Sequence, residues 1–280
     1  MSIETGRQQA EERVSELLRM LDQAQVKPLE TLLDSTATTT PPAATDTPVR
    51  PSPATWMIES PTVDATLALQ CFATLHPACR GEVLEEFRSI RTRVFLERKA
   101  WFEQGADLRA IAVVSPTRRN GKSFVAANLA AVLAATGDNR VLLIDANPGS
   151  PAIGTHLGLP AATGLCEVLQ GEPWYRHLHR VPPASLYVMP FGATRVNTVD
   201  SFDYTVMPVW LHDLRASFDW IVIDGPSFES PSDAQLLTNF ADASLLAVRK
   251  EDAQYAHVQE ALRRIPRERL LGAVVTPAKR

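Results

Sequence analysis

Apolar residues follow two rhythms along this chain, and their alternation predicts its architecture. Short continuous apolar runs at residues 111–114, 140–145 (RVLLID), 186–189, 220–224 (WIVID), 243–248 and 270–275 read as strands buried on both faces. Helical stretches separate them, at residues 123–135, 165–169, 205–216, 233–239 and 257–265. Strands alternating with helices imply an α/β fold with a mainly parallel sheet covered by helices on both faces. Residues 81–98 add a helix before the first strand. Val83, Phe87, Ile90 and Val94 line one face of it, and Glu85, Arg88 and Arg91 occupy another flank. From periodicity alone that flank reads first as a solvated charged face and only second as a source of intermolecular ion pairs.

The pattern changes upstream. Residues 4–25 are charged and helix-prone, with Val14, Leu17, Leu18 and Leu21 forming one apolar stripe, and Pro28 ends that helix. Such a stripe packs on its own domain or docks on another protein. Residues 35–61 are rich in Thr, Pro and Ala and hold too few apolar side chains to form a core. Residues 63–75 read as helical. The chain therefore divides into an amphipathic helical segment (1–34), a Pro/Thr/Ala-rich linker (35–62) and an α/β domain (63–280).

Composition narrows the function classes. The 280 residues are 45% hydrophobic with a formal net charge of −4, which suits a globular domain and excludes nucleic-acid binding through bulk positive charge. Cys71, Cys79 and Cys166 form no CxxC pair, so neither a disulfide framework nor a cysteine zinc site is expected. No apolar run reaches membrane-spanning length and the N-terminus lacks a signal-peptide core, so the expected location is the cytoplasm. His177 and His179 in RHLHR have no further ligand at metal spacing and read as a surface loop. Trp174 and Tyr175 beside them read as packing or interface residues. No nucleophile elbow is present.

Chemistry concentrates in residues 115–124, SPTRRNGKSF, placed between the first predicted strand and an alanine-rich helix. A strand-to-helix turn directs unpaired N–H groups and the positive end of the helix dipole at one point, which suits a phosphate. Gly121 would let the backbone approach phosphates, Lys122 would reach the β and γ oxygens, and the Ser123 hydroxyl would ligate Mg²⁺. Thr117, Arg118, Arg119, Asn120 and Phe124 complete the candidate nucleotide-binding stretch. The loop pattern has glycine where this chain has Pro116. Two apolar strands ending in Asp145 and Asp224 then supply, at the same sheet edge, carboxylates that order Mg²⁺ and its waters. Lys122, Asp145 and Asp224 are the catalytic candidates; Ser123, Asp145 and Asp224 are the metal candidates.

With these motifs in view, residues from about Val83 onward resemble the cytoplasmic domain of bacterial tyrosine kinases (BY-kinases), part of the partition-ATPase-like group of P-loop proteins. The resemblance implies ATP and Mg²⁺ as cofactors and a role in capsule or exopolysaccharide biosynthesis and export. It further implies a membrane polysaccharide co-polymerase as partner, which would hold the protein at the inner face of the membrane. Glu85, Arg88 and Arg91 match the family's Glu-x-x-Arg-x-x-Arg helix, which implies a ring-shaped homo-oligomer. The first loop position is often not glycine in that family, which accounts for Pro116. Three departures stand out. Asn147 replaces a second aspartate, and an amide is neither a base nor an anion. Arg118, Arg119 and Asn120 occupy positions where the family usually has Pro, Gly and Glu. Tyr255 is the tyrosine nearest the C-terminus, so a phosphorylated tyrosine is expected on another protein. A catalytically weak nucleotide-binding scaffold is one alternative. A partition or positioning ATPase is another, against which stands Thr117 where those proteins place a second lysine.

Overall fold

Seven strands form one sheet in the computed structural model, which describes residues 60–64, 72–75, 81–159, 163–182, 185–193, 207–250 and 255–276. The strands are β1 (Ala110–Ser115), β2 (Val141–Asp145), β3 (His179–Val181), β4 (Leu186–Met189), β5 (Trp220–Ser227), β6 (Ala243–Arg249) and β7 (Leu270–Thr276). Their spatial order is β3-β4-β2-β5-β1-β6-β7, and every pairing is parallel except β3 with β4. The fold is thus a seven-stranded, mostly parallel α/β sheet of the P-loop NTPase type, and the interior strand β1 leads into the phosphate-loop motif.

Side-chain alternation along each strand explains the two-sided core. Ile111, Val113, Leu143 and Val222 pack on one face, against α1 (Glu82–Glu103) and α2 (Lys122–Ala134) through Phe87, Val94 and Leu129. Ala112, Leu142, Ile144 and Ile223 pack on the other, against α5 (Met207–Ser217) and α6 (Pro231–Phe240). Two short helices, α3 (Ile153–His156) and α4 (Leu165–Leu169), follow β2, and α7 (Tyr255–Arg264) covers Val114, Leu246 and Val248. Helix α2 runs directly behind the loop with 11 of its 13 residues buried. Alanines make that possible, because small side chains let the helix backbone lie close to the sheet at little entropic cost.

Two local expectations are corrected. Residues 62–64 are not helical: Thr62 bridges Arg180 in parallel, and the Val63 N–H donates to the Arg180 carbonyl at 2.8 Å. The reason is the unpaired rim of β3, whose backbone groups take up the extended Pro61–Val63 stretch. RHLHR is not a surface loop either. His177 ends a 3₁₀ turn, His179 opens β3, and both are buried. Trp174 is a packing residue, edge-on to Phe218 and to Tyr175. The N-terminal helix, nearly all of the linker, Cys71, Cys79 and much of 63–75 lie outside the described residues. Cys166 is buried and free, with its thiol pKa pushed up to about 11 by burial.

Candidate functional site

The loop after β1 is held in shape from several sides. Gly121 sits at the N-terminus of α2 with φ of 80°, a left-handed conformation that glycine adopts without penalty. No side chain caps the helix there, so its first-turn N–H groups point into the cleft. Asn120, 1% exposed, acts as a staple: its Nδ2 donates to the Thr117 carbonyl (3.0 Å) and Thr117 Oγ1 (2.6 Å), and its Oδ1 accepts the Arg249 N–H at 2.7 Å. Thr276 closes the far side, donating from Oγ1 to the Asn120 carbonyl at 3.1 Å. Arg119 has φ of 62° and is the one non-glycine residue with positive φ among those described.

A cleft of about 490 Å³ opens over this loop, lined by Arg118, Arg119, Lys122 and Ser123 and, across from them, by Asn147 and His156. Lys122 is buried, and desolvation lowers its pKa against the opposing pull of Asp224 and Glu229. That combination leaves an ammonium directed at the cleft with few waters to displace.

Asp145 ends β2, and Asp224, inside the neighbouring β5, faces it in register. Their surroundings differ. Asp145 accepts backbone N–H bonds from Asn147 (3.3 Å), Ala152 (2.9 Å) and Ile153 (3.0 Å), so its carboxylate organises the loop after β2. Burial nonetheless raises its pKa to about 6. Asp224 is fully buried, and neither oxygen finds a hydrogen-bond donor of good geometry. Burial first, and then the Asp145 charge, push its pKa to about 7, while Ser123 and Lys122 favour its charged form. An orphaned carboxylate beside a hydroxyl and an anion-binding helix terminus is a site that a divalent cation fits. No cluster of three or more His, Cys, Asp or Glu side chains surrounds it among the described residues, so the remaining ligands would be water and phosphate, as hydrated Mg²⁺ prefers. Asn147 is buried, and its amide donates to the Ser150 carbonyl at 3.2 Å.

Thr117, Arg118, Arg119, Asn120, Gly121, Lys122 and Ser123 all belong to the loop or the first turn of α2. Phe124 is 41% exposed at the cleft and edge-on to Phe87 of α1. Glu85, Arg88 and Arg91 lie apart from the cleft on α1, where Arg88 pairs with Glu85 at 2.5 Å and Arg91 donates to Thr136 at 2.9 Å. Four further residues join the site without having been expected from sequence: His156, Glu229, Arg249 and Thr276. Arg249 and Thr276 end β6 and β7 at the carboxyl edge where Asp145 and Asp224 lie. Reading that edge to its last two strands would have found both.

Comparison with known proteins agrees with this geometry. The family model for the cellulose biosynthesis protein BcsQ matches residues 114–273, more than half of the chain. Tyrosine-protein kinase YwqD of Bacillus subtilis is 30% identical over 199 residues, covering 70% of this chain and 81% of that protein. The succinoglycan biosynthesis transport protein ExoP of Rhizobium meliloti is 33% identical over 174 residues, covering 59% of this chain but 22% of ExoP, which is far longer. Among solved structures, the BceF tyrosine kinase domain superposes with a TM-score of 0.62 at 25% identity, covering 77% of this chain and 90% of that domain. The chain therefore belongs to the bacterial tyrosine-kinase family, within the group of P-loop proteins that the BcsQ model describes.

Proposed function

We propose that this protein binds ATP with Mg²⁺ in the cleft over residues 117–123 and serves exopolysaccharide or capsule biosynthesis as a BY-kinase-like ATPase. The observation that carries the reading is the juxtaposition of an uncapped helix N-terminus, the buried Lys122 and the buried carboxylate of Asp224, which accepts no backbone N–H. The loop amides and Lys122 would hold the phosphates, and Ser123 and Asp224 would hold the metal. Bound Mg²⁺ would neutralise charge developing on the transferred phosphoryl group. Asp145 contributes by fixing the loop after β2, and the site acts through position and electrostatics more than through covalent chemistry.

A tyrosine on another protein is the expected acceptor, and a membrane polysaccharide co-polymerase is the expected partner. Among the described residues no helix is long and apolar enough to cross a membrane, so contact with the membrane would run through that partner. Assembly into a ring would use Glu85, Arg88 and Arg91. The exposed Glu85–Arg88 pair would exchange its intrahelical bond for intersubunit ones at small cost.

Asn147 favours a second reading, a nucleotide-binding scaffold in which ATP controls assembly without turnover. Its amide is tied to Ser150 and offers no base. Purified protein incubated with Mg-ATP, followed for ADP release and phosphotyrosine, separates the two. Turnover by wild type that Lys122→Ala abolishes supports the ATPase. Tight binding without turnover, restored by Asn147→Asp, supports the scaffold.

A further inference from the structure

Arg118 is set apart from the other cations of the cleft by what holds it. Two hydrogen bonds and one ion-pair contact converge on a single oxygen, Oε2 of Glu229: the Arg118 backbone N–H donates at 3.2 Å, the Ser227 hydroxyl donates at 3.3 Å, and Arg118 Nε lies 3.2 Å away. The turn carrying Glu229 is itself tied to the start of the phosphate loop, because the Phe228 N–H donates to the Ser115 carbonyl at 2.9 Å. Beyond Glu229 the guanidinium lies over Gly149, where an added Cβ would stand 3.7 Å from one Arg118 terminal nitrogen. Arg118 thus spans from the loop after β5 to the loop after β2, across the cleft that Lys122 and Ser123 also line.

The pair is too exposed for its purpose to be stability, with side chains 64% and 43% accessible. Its effect is geometric. Oε2 anchors the Nε edge of the guanidinium, and the opposite edge carries terminal N–H donors toward Gly149 and the cleft. A planar guanidinium with one edge anchored presents its other donors as a fork suited to phosphate oxygens. The metal-bearing end of a phosphate loop is where the terminal phosphate of a triphosphate lies. A diphosphate leaves that position empty.

We propose that Arg118 is a specificity-determining residue that reads the terminal phosphate of a nucleoside triphosphate, and that Glu229 is the positioning residue that aims it. This rests on the nucleotide reading of the cleft. It gives a site that lacks the second aspartate a means of distinguishing the triphosphate from the diphosphate state by charge alone.

The test uses the full chain with Mg²⁺ at physiological salt, measuring displacement of a fluorescent ADP by ADP and by a non-hydrolysable ATP analogue. Arg118→Ala should weaken the triphosphate analogue about tenfold or more while ADP affinity falls at most about twofold, the loss expected for a charge-assisted phosphate contact. Arg118→Lys should recover only part of the discrimination, because an ammonium does not offer the fork. Glu229→Gln should erode the same triphosphate-to-diphosphate ratio about threefold, by loosening the aim and not the contact. Equal weakening of both nucleotides by Arg118→Ala, or an unchanged ratio, overturns the proposal while leaving the nucleotide site standing. Failure of wild type to bind either nucleotide overturns both.

Discussion

Asp145 and Asp224 are paired residues on two hydrogen-bonded parallel strands, yet one carboxylate accepts three backbone N–H bonds and the other accepts no backbone N–H, with only the Ser123 hydroxyl beside it. The difference follows from what comes after each strand. Residues 147–153 turn back over Asp145 and present their N–H groups to it, whereas β5 continues as an extended strand to Ser227 and turns no backbone N–H toward the buried Asp224 carboxylate.

A pH dependence follows from that asymmetry. The Asp224 pKa of about 7 lies above the ordinary carboxylate value, so the folded state retains a proton that the unfolded chain releases. Stability of the nucleotide-free protein should therefore fall as pH rises from about 4 through 7. Asp224→Asn should remove that part of the slope and be more stable than wild type at pH 8, with little difference at pH 4. Urea unfolding at both values checks this, and parallel wild-type and variant profiles would contradict it.

Arg119 should be a site where glycine stabilises. Its φ of 62° places a side-chain-bearing residue in the left-handed region, which costs roughly 1–2 kcal/mol, partly offset by the larger unfolded-state entropy of glycine. Arg119→Gly is expected to raise the unfolding free energy by about 1 kcal/mol, opposite in sign to most substitutions with glycine. A chemical denaturation midpoint shifted downward would show that Arg119 makes compensating contacts.

Gly121 is constrained twice over. Alanine there would keep φ near 80° and bring its Cβ to 3.0 Å from Thr276 Cγ2 and 3.2 Å from Thr276 Oγ1. Gly121→Ala should cost about 2–3 kcal/mol, from backbone strain together with the clash. Adding Thr276→Ser should recover part of the loss, since it removes the methyl and keeps the hydroxyl bond to Asn120. A double-mutant cycle on denaturation free energies gives that coupling directly.

The sheet was legible in the sequence because its strands are buried on both sides and so read as unbroken apolar runs. Residues 165–169 and 186–189 were placed with the bounds observed. The antiparallel edge strand β3 was not legible, for it is three residues long and its charged, histidine-rich sequence carries no strand periodicity. His177 is buried by the tertiary fold, which no local pattern encodes. In the site, the residues of the loop itself were apparent from spacing. Glu229 and Thr276 act on the loop from 111 and 156 residues away in sequence, through contacts with Arg118 and Asn120 that exist only once the sheet order places β5 beside β1 and β7 one strand further out beyond β6.

Asn120 offers the sharpest test of whether the loop is preorganised or shaped by its ligand. Every polar atom of its side chain is engaged within the protein, joining Thr117 and Arg118 on its own loop to the Arg249 backbone at the end of β6. Replacing it with alanine removes the acceptor of the partly buried Arg249 N–H and frees residues 117–119. The stability cost should be about 2–3 kcal/mol, the range for unsatisfied buried polar groups. Nucleotide affinity should fall as well, because the loop would have to be ordered on binding. Saturating Mg-ATP should accordingly raise the melting temperature of Asn120→Ala by less than it raises that of wild type at the same ligand concentration. An equal rise in both proteins would mean that phosphate alone dictates the loop, and that the staple serves only the apo fold.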